Sequence, residues 1–421
     1  MSDIETFKIW LELLVEKPVF STHEHHMESA KQQQLDLNLL FNSSYVGWCR
    51  PAPDLDSASR SAWLDSLRTN SYYVWLSKAL FHIYGVREIT SDNWDALSAR
   101  IAQAHQDPHW HLQIMKKHGN YTGFLEDCYW DSGSAVGYPD FVTPIYRLDM
   151  WMMGFHPDSL TNENTSSHDL FDEPPSFDQY MERFEQELRT RREQIVGLKC
   201  ASAYQRTIAF REATEEEARA VFGMKPEDAT EQQRNAFGDY VLARGLELAA
   251  ELDLPVQFHT GLARLDGSSP MKMERLIATH PRNRIVLFHG GFPWIYETAA
   301  LAHQYPNVVI DINWLPLIST SAATYALHTY VDVLRDSGSV TWGGDTWTGE
   351  EAVGAVFAFR HILAKLLAER VAEGLWKAED AERFADKIMY ENALNIYGIS
   401  RQKAALIVHE QRLLPQEEAG A

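Results

Sequence analysis

The feature that most constrains this chain is an alternation, from about Lys116 onward, of short apolar runs with longer amphipathic stretches. Short runs rich in β-prone residues read as strands, and apolar residues recurring three and four apart read as helices. The strand candidates are Gly123–Asp127, Thr143–Leu148, Ile195–Ala201, Pro255–Thr260, Arg284–His289, Val308–Ile312 and Val340–Gly343; with Pro18–His23 they make eight. Between them lie helical candidates such as Phe177–Arg192, Glu231–Glu251, Met271–His280 and Thr298–Gln304, each long enough to cross between parallel strands. The pattern predicts an α/β fold with a parallel sheet, and eight such units close most economically as a (β/α)8 TIM barrel. An open doubly wound sheet is the alternative, but no G-x-G-x-x-G follows a strand.

No fixed-period repeat and no Gly/Ser- or Pro-rich linker divides the sequence, so residues 1–421 read as a single barrel unit closed off by C-terminal helices. Residues 31–115 read as a helical insertion after the first strand, carrying Trp48, Trp63, Tyr72, Tyr73, Trp75 and Trp94. Such a segment is either a packed satellite cluster or a cap over a site. The polar stretch Asp158–Ser176 is either a lid or a solvated loop.

The first strand runs into His23-Glu24-His25-His26, where residues two apart face the same side, so His23 and His25 meet one metal ion while Glu24 points away. Two further apolar runs end in His259 and in His289, and Val340-Thr341-Trp342-Gly343-Gly344 ends in Asp345. Any one of these could merely cap its strand. Four strands delivering ligand-type side chains to the same end, the functional rim of a parallel barrel, point jointly to a metal site. A nitrogen-and-oxygen donor set without thiolates suits Zn2+ first, then Mn2+, Fe2+ or Co2+.

Composition narrows the partners. A formal net charge of -21 argues against the basic stripe that a nucleic-acid binder needs. An anionic small substrate remains compatible, because a metal and buried cations reverse the field locally. Three unpaired-looking cysteines, no signal-peptide core in Met1–Lys17 and no long apolar run give the expectation of a cytoplasmic protein that does not meet a membrane. A homo-oligomer is expected.

The H-x-H on the first strand, the histidine after the fifth, H-G-G after the sixth and G-x-D after the eighth resemble the amidohydrolase superfamily. Phe124–Asp127, Gly197–Tyr204, Pro255–Gly261 and Ile285–Pro293 resemble in particular its nodulin-type branch, attached to some glutamine synthetases, while the helical insertion is similar to that of uronate isomerases. This resemblance implies that Lys199 is either a carbamylated bridge between two metals or a free cation holding a substrate carboxylate. Tyr204 and Arg206 nearby favour the second, and with it one ion rather than two. Ser21 stands where many members carry an Asp two residues before the first histidine, which leaves ligand orientation less defined.

The expected reaction is attack by a metal-activated water on an amide, lactone or related C–N or C–O bond of a small carboxylated substrate, γ-glutamyl amides being the natural class by resemblance. Asp345 takes and returns the proton, and His289 ligates or polarises the scissile carbonyl. Lys199, Tyr204, Arg206 and Trp347 form the candidate substrate contacts. The alternatives are an isomerase or lyase, in which Asp345 or His26 moves the proton, and a catalytically silent ligand-binding barrel. Asp311 reads as structural, Cys200 as a small buried residue, and Trp347 as either pocket wall or core.

Overall fold

The computed structural model describes residues 3–53 and 56–399, so the end of the single-unit reading, 400–421, lies outside the described residues. Among the described residues nine parallel strands form: β1 (Val19–Glu24), β2 (Tyr121–Glu126), β3 (Val142–Pro144), β4 (Tyr146–Arg147), β5 (Leu198–Cys200), β6 (Val256–Phe258), β7 (Ile285–Leu287), β8 (Val308–Asp311) and β9 (Val340–Thr341). They pair in the orders β1-β2-β3 and β4-β5-β6-β7-β8-β9, all in parallel register. The stretch read as one strand over Thr143–Leu148 is broken at Ile145, whose N–H turns back to Glu126 O at 3.0 Å while Tyr146 N–H goes on to Gly197 O at 3.0 Å. The two strand groups therefore meet within one stave. At the opposite seam, Thr22 N–H reaches Trp342 O at 3.2 Å and Asp345 N–H reaches His23 O at 2.8 Å, which brings the last stave onto the first. This is the parallel α/β barrel that the alternation predicts, with shorter strands than the apolar runs, because the backbone leaves the ladder where polar residues begin.

Asp311, buried at the end of β8, fastens the same seam. It accepts hydrogen bonds from Thr22 Oγ1 at 2.5 Å, Thr341 Oγ1 at 2.9 Å and Asn313 N at 2.9 Å. Burial raises its pKa to about 6 against those hydrogen bonds.

Crossover helices start where the local sequence provides caps. Phe177–Arg191 opens with Ser176 and Gln179, and Glu231–Glu251 with Thr230 and Gln233, each pair satisfying two free backbone donors reciprocally. Gly349–Ala372, capped by Thr348, is buried on nearly every side, since Asp3–Glu16, Ser71–Tyr84 and Trp110–Gly119 pack around it. Between β1 and β2 the chain forms helices at Ser29–Gln32, Leu37–Asn42, Tyr45–Cys49, Ser57–Leu67, Ser71–Tyr84, Trp94–Ala104 and Trp110–Gly119. Their aromatic cluster is core, with Phe41 against Trp63 at 4.9 Å and Trp94 at 5.6 Å. Among the described residues no helix is long and apolar enough to cross a membrane.

Candidate active site

At the C-terminal ends of the strands, His23 and His25 bring their Nε2 atoms within 3.2 Å of each other. Asp345 Oδ1 lies 3.2 Å from His25 Nε2 and 3.6 Å from His23 Nε2. Three ligands at about 2.0–2.1 Å from a tetrahedral ion stand about 3.3 Å apart, so these edges fit one transition-metal ion. The protein alone leaves the arrangement awkward. Two imidazole nitrogens face each other, and His23 Nδ1 is buried without a partner. Burial and the charge of Lys199 push the pKa of His23 well below its usual value, whereas for His25 the Asp345 carboxylate outweighs burial and raises it. A metal bound here would compete with a proton for the space between His25 and Asp345.

Asp345 owes its position to residues on both sides. Its φ of 61° is unfavourable for a non-glycine residue. Glu24, fully buried, accepts from Thr346 N at 2.8 Å, Thr346 Oγ1 at 2.6 Å, Gly344 N at 3.2 Å and Ser21 Oγ at 2.7 Å, so its carboxylate clamps the backbone on either side of the aspartate. A Cβ at position 344 would run into that carboxylate, which explains the glycine. Ser21, where an Asp is common in the family, therefore serves the clamp: its hydroxyl also accepts from Gly344 N at 3.0 Å. Burial raises Glu24 to about 7, with the Thr346 and Ser21 hydrogen bonds opposing.

The other two expected ligands form a neighbouring pair outside the triad. His289, itself at φ 60°, places Nε2 3.0 Å from His259 Nδ1, while its Nδ1 lies 3.6 Å from Asp345 Oδ2 and 3.3 Å from Asn313 O. His259 Nε2 is engaged with Leu262 O at 2.9 Å. Burial lowers both imidazoles, His289 to about 4, so both are neutral near pH 7. Lys199 Nζ stands 3.5 Å from His23 Nε2 and 3.5 Å from the centre of the Phe288 ring. Burial brings its pKa down to about 8 against the pull of Asp127 and Asp345.

Above the triad lies a cavity of about 740 Å³, lined by His23, His25, His259, Asp345, Lys199 and Tyr204 on its floor. Trp347 is wall rather than core: it lines the cavity and stacks on His25 at 5.7 Å. Tyr204 covers His259 at 4.4 Å. The helical insertion also reaches the site, since Tyr45 and Trp48 line the cavity and meet Trp314 at 4.7 and 5.6 Å. From the polar stretch 158–176, Asn162 and Glu163 contribute as well.

Two expected residues are elsewhere. Arg206 is turned away from the cavity: its guanidinium pairs with buried Asp239 at 2.5 Å and with Asn235 O at 3.0 Å, so it is not brought together with Lys199 and Tyr204. His26 is on the far side of the strand, where its ring packs on Phe124 at 4.8 Å and neither nitrogen has a partner, so it does not reach the triad as a proton carrier. A cation that sequence reading passed over takes Arg206's place. Arg147, at the end of β4, lines the cavity and is bound to Asp127 through Nε at 3.1 Å and through Nη2. Asp127 in turn receives His25 Nδ1 on its backbone carbonyl at 2.8 Å. Although burial opposes it, Arg147 lowers the pKa of Asp127. The signal was available, because Arg147 ends a strand candidate as His259 does.

Comparison with known proteins agrees with this geometry. Residues 154 long and 30% identical align with the protein fluG of Emericella nidulans, covering 35% of this chain and 18% of that protein, so the chain spans only a small part of that relative. The fold is similar to the uronate isomerase of Thermotoga maritima (TM-score 0.71, 14% identity, covering 93% of this chain and 97% of that one). It is also similar to the glucuronate isomerase of Caulobacter crescentus (0.71, 16%, 95% and 95%). A Lactobacillus casei protein assigned as a metal-dependent hydrolase scores 0.69 at 16% identity over 96% of this chain and 98% of that one. The model of the amidohydrolase family matches residues 184–399, slightly more than half of the sequence. The chain belongs to the amidohydrolase family.

Proposed function

We propose that the protein is a mononuclear metal-dependent hydrolase that cleaves an amide, lactone or related bond in a small carboxylated substrate. The observation that carries this is the His23–His25–Asp345 triad, spaced for one ion, in a cavity that is also lined by Lys199 and Arg147. Zn2+ is the first choice, with Mn2+, Fe2+ and Co2+ behind it. A transition-metal ion there supplies Lewis acidity and lowers the pKa of a water toward neutrality.

The side chains divide the remaining work. Asp345 has one oxygen in the triad and the other toward His289, and accepts the proton of the attacking water before returning it to the leaving group. His289 orients that carboxylate, and neutral His259 keeps His289 in place. Lys199 donates to the oxyanion that develops at the scissile carbonyl. Its contact with the Phe288 ring face suits an ammonium and not a carbamate, whose negative charge the ring would repel, and this supports one ion over two. Arg147 holds the substrate carboxylate, and Tyr204, Trp347 and the insertion 31–115 close the cavity around the rest.

The test combines elemental analysis with a substrate screen of amides, lactones, sugar acids and aromatic acids. The expected result is one transition-metal equivalent per chain and a hydrolytic turnover that chelation abolishes. Turnover that survives complete metal removal would overturn the reading, and isomerisation of a sugar acid with no hydrolysis would replace it with the isomerase alternative.

A further inference from the structure

Arg147 carries one charge and has two carboxylate partners. Asp127 takes Nε and Nη2 and is 1% exposed, so this pair is a fixed part of the wall beneath His25. Nη1 is bound separately to Glu163 Oε1 at 2.6 Å. Glu163 is 18% exposed, lines the cavity and belongs to no helix or strand. It sits on a small turn closed on itself by Thr161 N to Thr165 O at 3.0 Å and by the Thr161 and Thr165 hydroxyls at 2.7 Å. Asp127 already neutralises the guanidinium, so Glu163 sets a second negative charge on the same cation in a cavity that, on the reading above, receives an acid. A bidentate buried pair persists, whereas a single-point contact at a cavity wall exchanges readily.

We infer that Glu163 is a built-in stand-in for the substrate's carboxylate: it occupies Arg147 in the free enzyme, a ligand carboxylate displaces it, and it thereby sets which acids the cavity accepts. The location fits a substrate subsite. The Tyr129 ring lies 5.5 Å from the Arg147 guanidinium and 5.6 Å from the His25 ring, so the subsite is one aromatic ring away from the metal ligands. Lys31, exposed at the same cavity and 5.4 Å over Trp130, gives an arriving anion a local attraction on a protein of net charge -21. The consequence is selectivity. An acid must bind well enough to evict Glu163, and a neutral analogue gains nothing from Arg147. A stand-in that holds Arg147 roughly nine-tenths of the time weakens the apparent affinity of a competing carboxylate about tenfold.

This inference rests on the reading that the cavity binds a carboxylated substrate, and its test is independent of turnover. Benzoate, with benzamide as the uncharged control, is titrated calorimetrically into the metal-loaded full-length protein. Glu163→Gln should bind benzoate about tenfold tighter than wild type, with benzamide unchanged, and the gain should vanish when Arg147→Met is added. Glu163→Ala serves as a second variant, and circular dichroism checks that each is folded. Glu163→Asp, with a shorter reach, should show a smaller gain. Equal or weaker benzoate binding in folded Glu163→Gln and Glu163→Ala would overturn the inference, as would a gain that persists without Arg147. If that happens while metal-dependent hydrolysis is intact, only the stand-in role fails; loss of the metal requirement refutes the functional reading instead.

Discussion

Removing the Glu24 carboxylate should disarm the metal site without touching a ligand. In Glu24→Ala, Gly344 N keeps Ser21 Oγ at 3.0 Å, but Thr346 N loses its acceptor at 2.8 Å and is left buried. An orphaned buried donor costs about 1–3 kcal/mol. The left-handed backbone of Asp345 stores about 1–3 kcal/mol more, which the clamp no longer offsets. The two terms act on the same three residues, so the metal-ready conformation loses roughly 2–6 kcal/mol, part of it appearing as global destabilisation. The share seen by the ion should match the loss of an outer partner, about 10- to 100-fold in affinity. Glu24→Gln makes the contrast. Its amide oxygen still serves Thr346 and its NH2 donates to Ser21 Oγ, whose hydroxyl turns to His23 O 3.3 Å away, while Gly344 N, 3.2 Å from the oxygen that is replaced, keeps only Ser21 Oγ. Metal affinity should then fall less than in Glu24→Ala, staying within about fivefold of wild type, because the two Thr346 bonds survive and only one branch of the Gly344 bond is lost. Competition with a chromogenic chelator, run beside thermal melts, measures both. Wild-type metal affinity in Glu24→Ala would refute the clamp, and equal losses in both variants would show that charge, not hydrogen bonding, holds Asp345.

Other expectations follow from the same contacts. Asp345→Asn should lower kcat by several orders of magnitude and weaken metal binding, because the change removes a charged ligand and the proton acceptor together; near-native kcat would exclude both roles. Arg206→Ala should cost about 3–5 kcal/mol of stability by stranding buried Asp239, with KM unchanged for whatever substrate the screen yields. A rise in KM without a fall in Tm would return Arg206 to the site. Burial holds His111, His118 and His361 at about 4, so the stability each contributes is present above the unfolded value of 6.5 and is lost as pH falls through 4. The Tm lost between pH 7 and 4.5 should accordingly shrink in His111→Asn, and an undiminished loss would assign acid lability to other groups.

The barrel and its ligand rim were legible because both depend on local patterns. Apolar runs ending in His23, His259, His289 and Asp345 mark strand ends whatever their partners are. The division of those residues into a triad and a neighbouring pair was not legible, since it depends on where side chains from different staves converge. Arg206 shows the limit from the other direction. Its proximity to Lys199 in sequence gave it a role that the chain's path through Ser202–Tyr204 removes, delivering the guanidinium to Asp239 on a crossover helix. Glu24 seemed to matter only by pointing away from the metal, and that direction is what lets it reach Gly344 and Thr346. The break at Ile145 was hidden because an apolar run carries no mark of where its ladder partner changes.

The seam that holds the triad also dates it in the life of the chain. Two of its ligands come from the first stave and the third lies just beyond the last, with Glu24 and Thr346 joined across 322 residues of sequence. During vectorial synthesis His23 and His25 emerge before β2 to β9, and Asp345, which completes the triad, follows all of these strands. Metal capture by the triad would thus be tied to the completion of the fold, and contacts so distant in sequence form late and slowly. An ion held by the triad would be a clasp across the junction of the first and last staves, adding RT ln(1 + [M]/Kd) to the stability of the closed barrel alone. Metal-starved cells should accumulate this protein as an unclasped barrel, sensitive to proteases at β1 and at the segment after β9 before anywhere else.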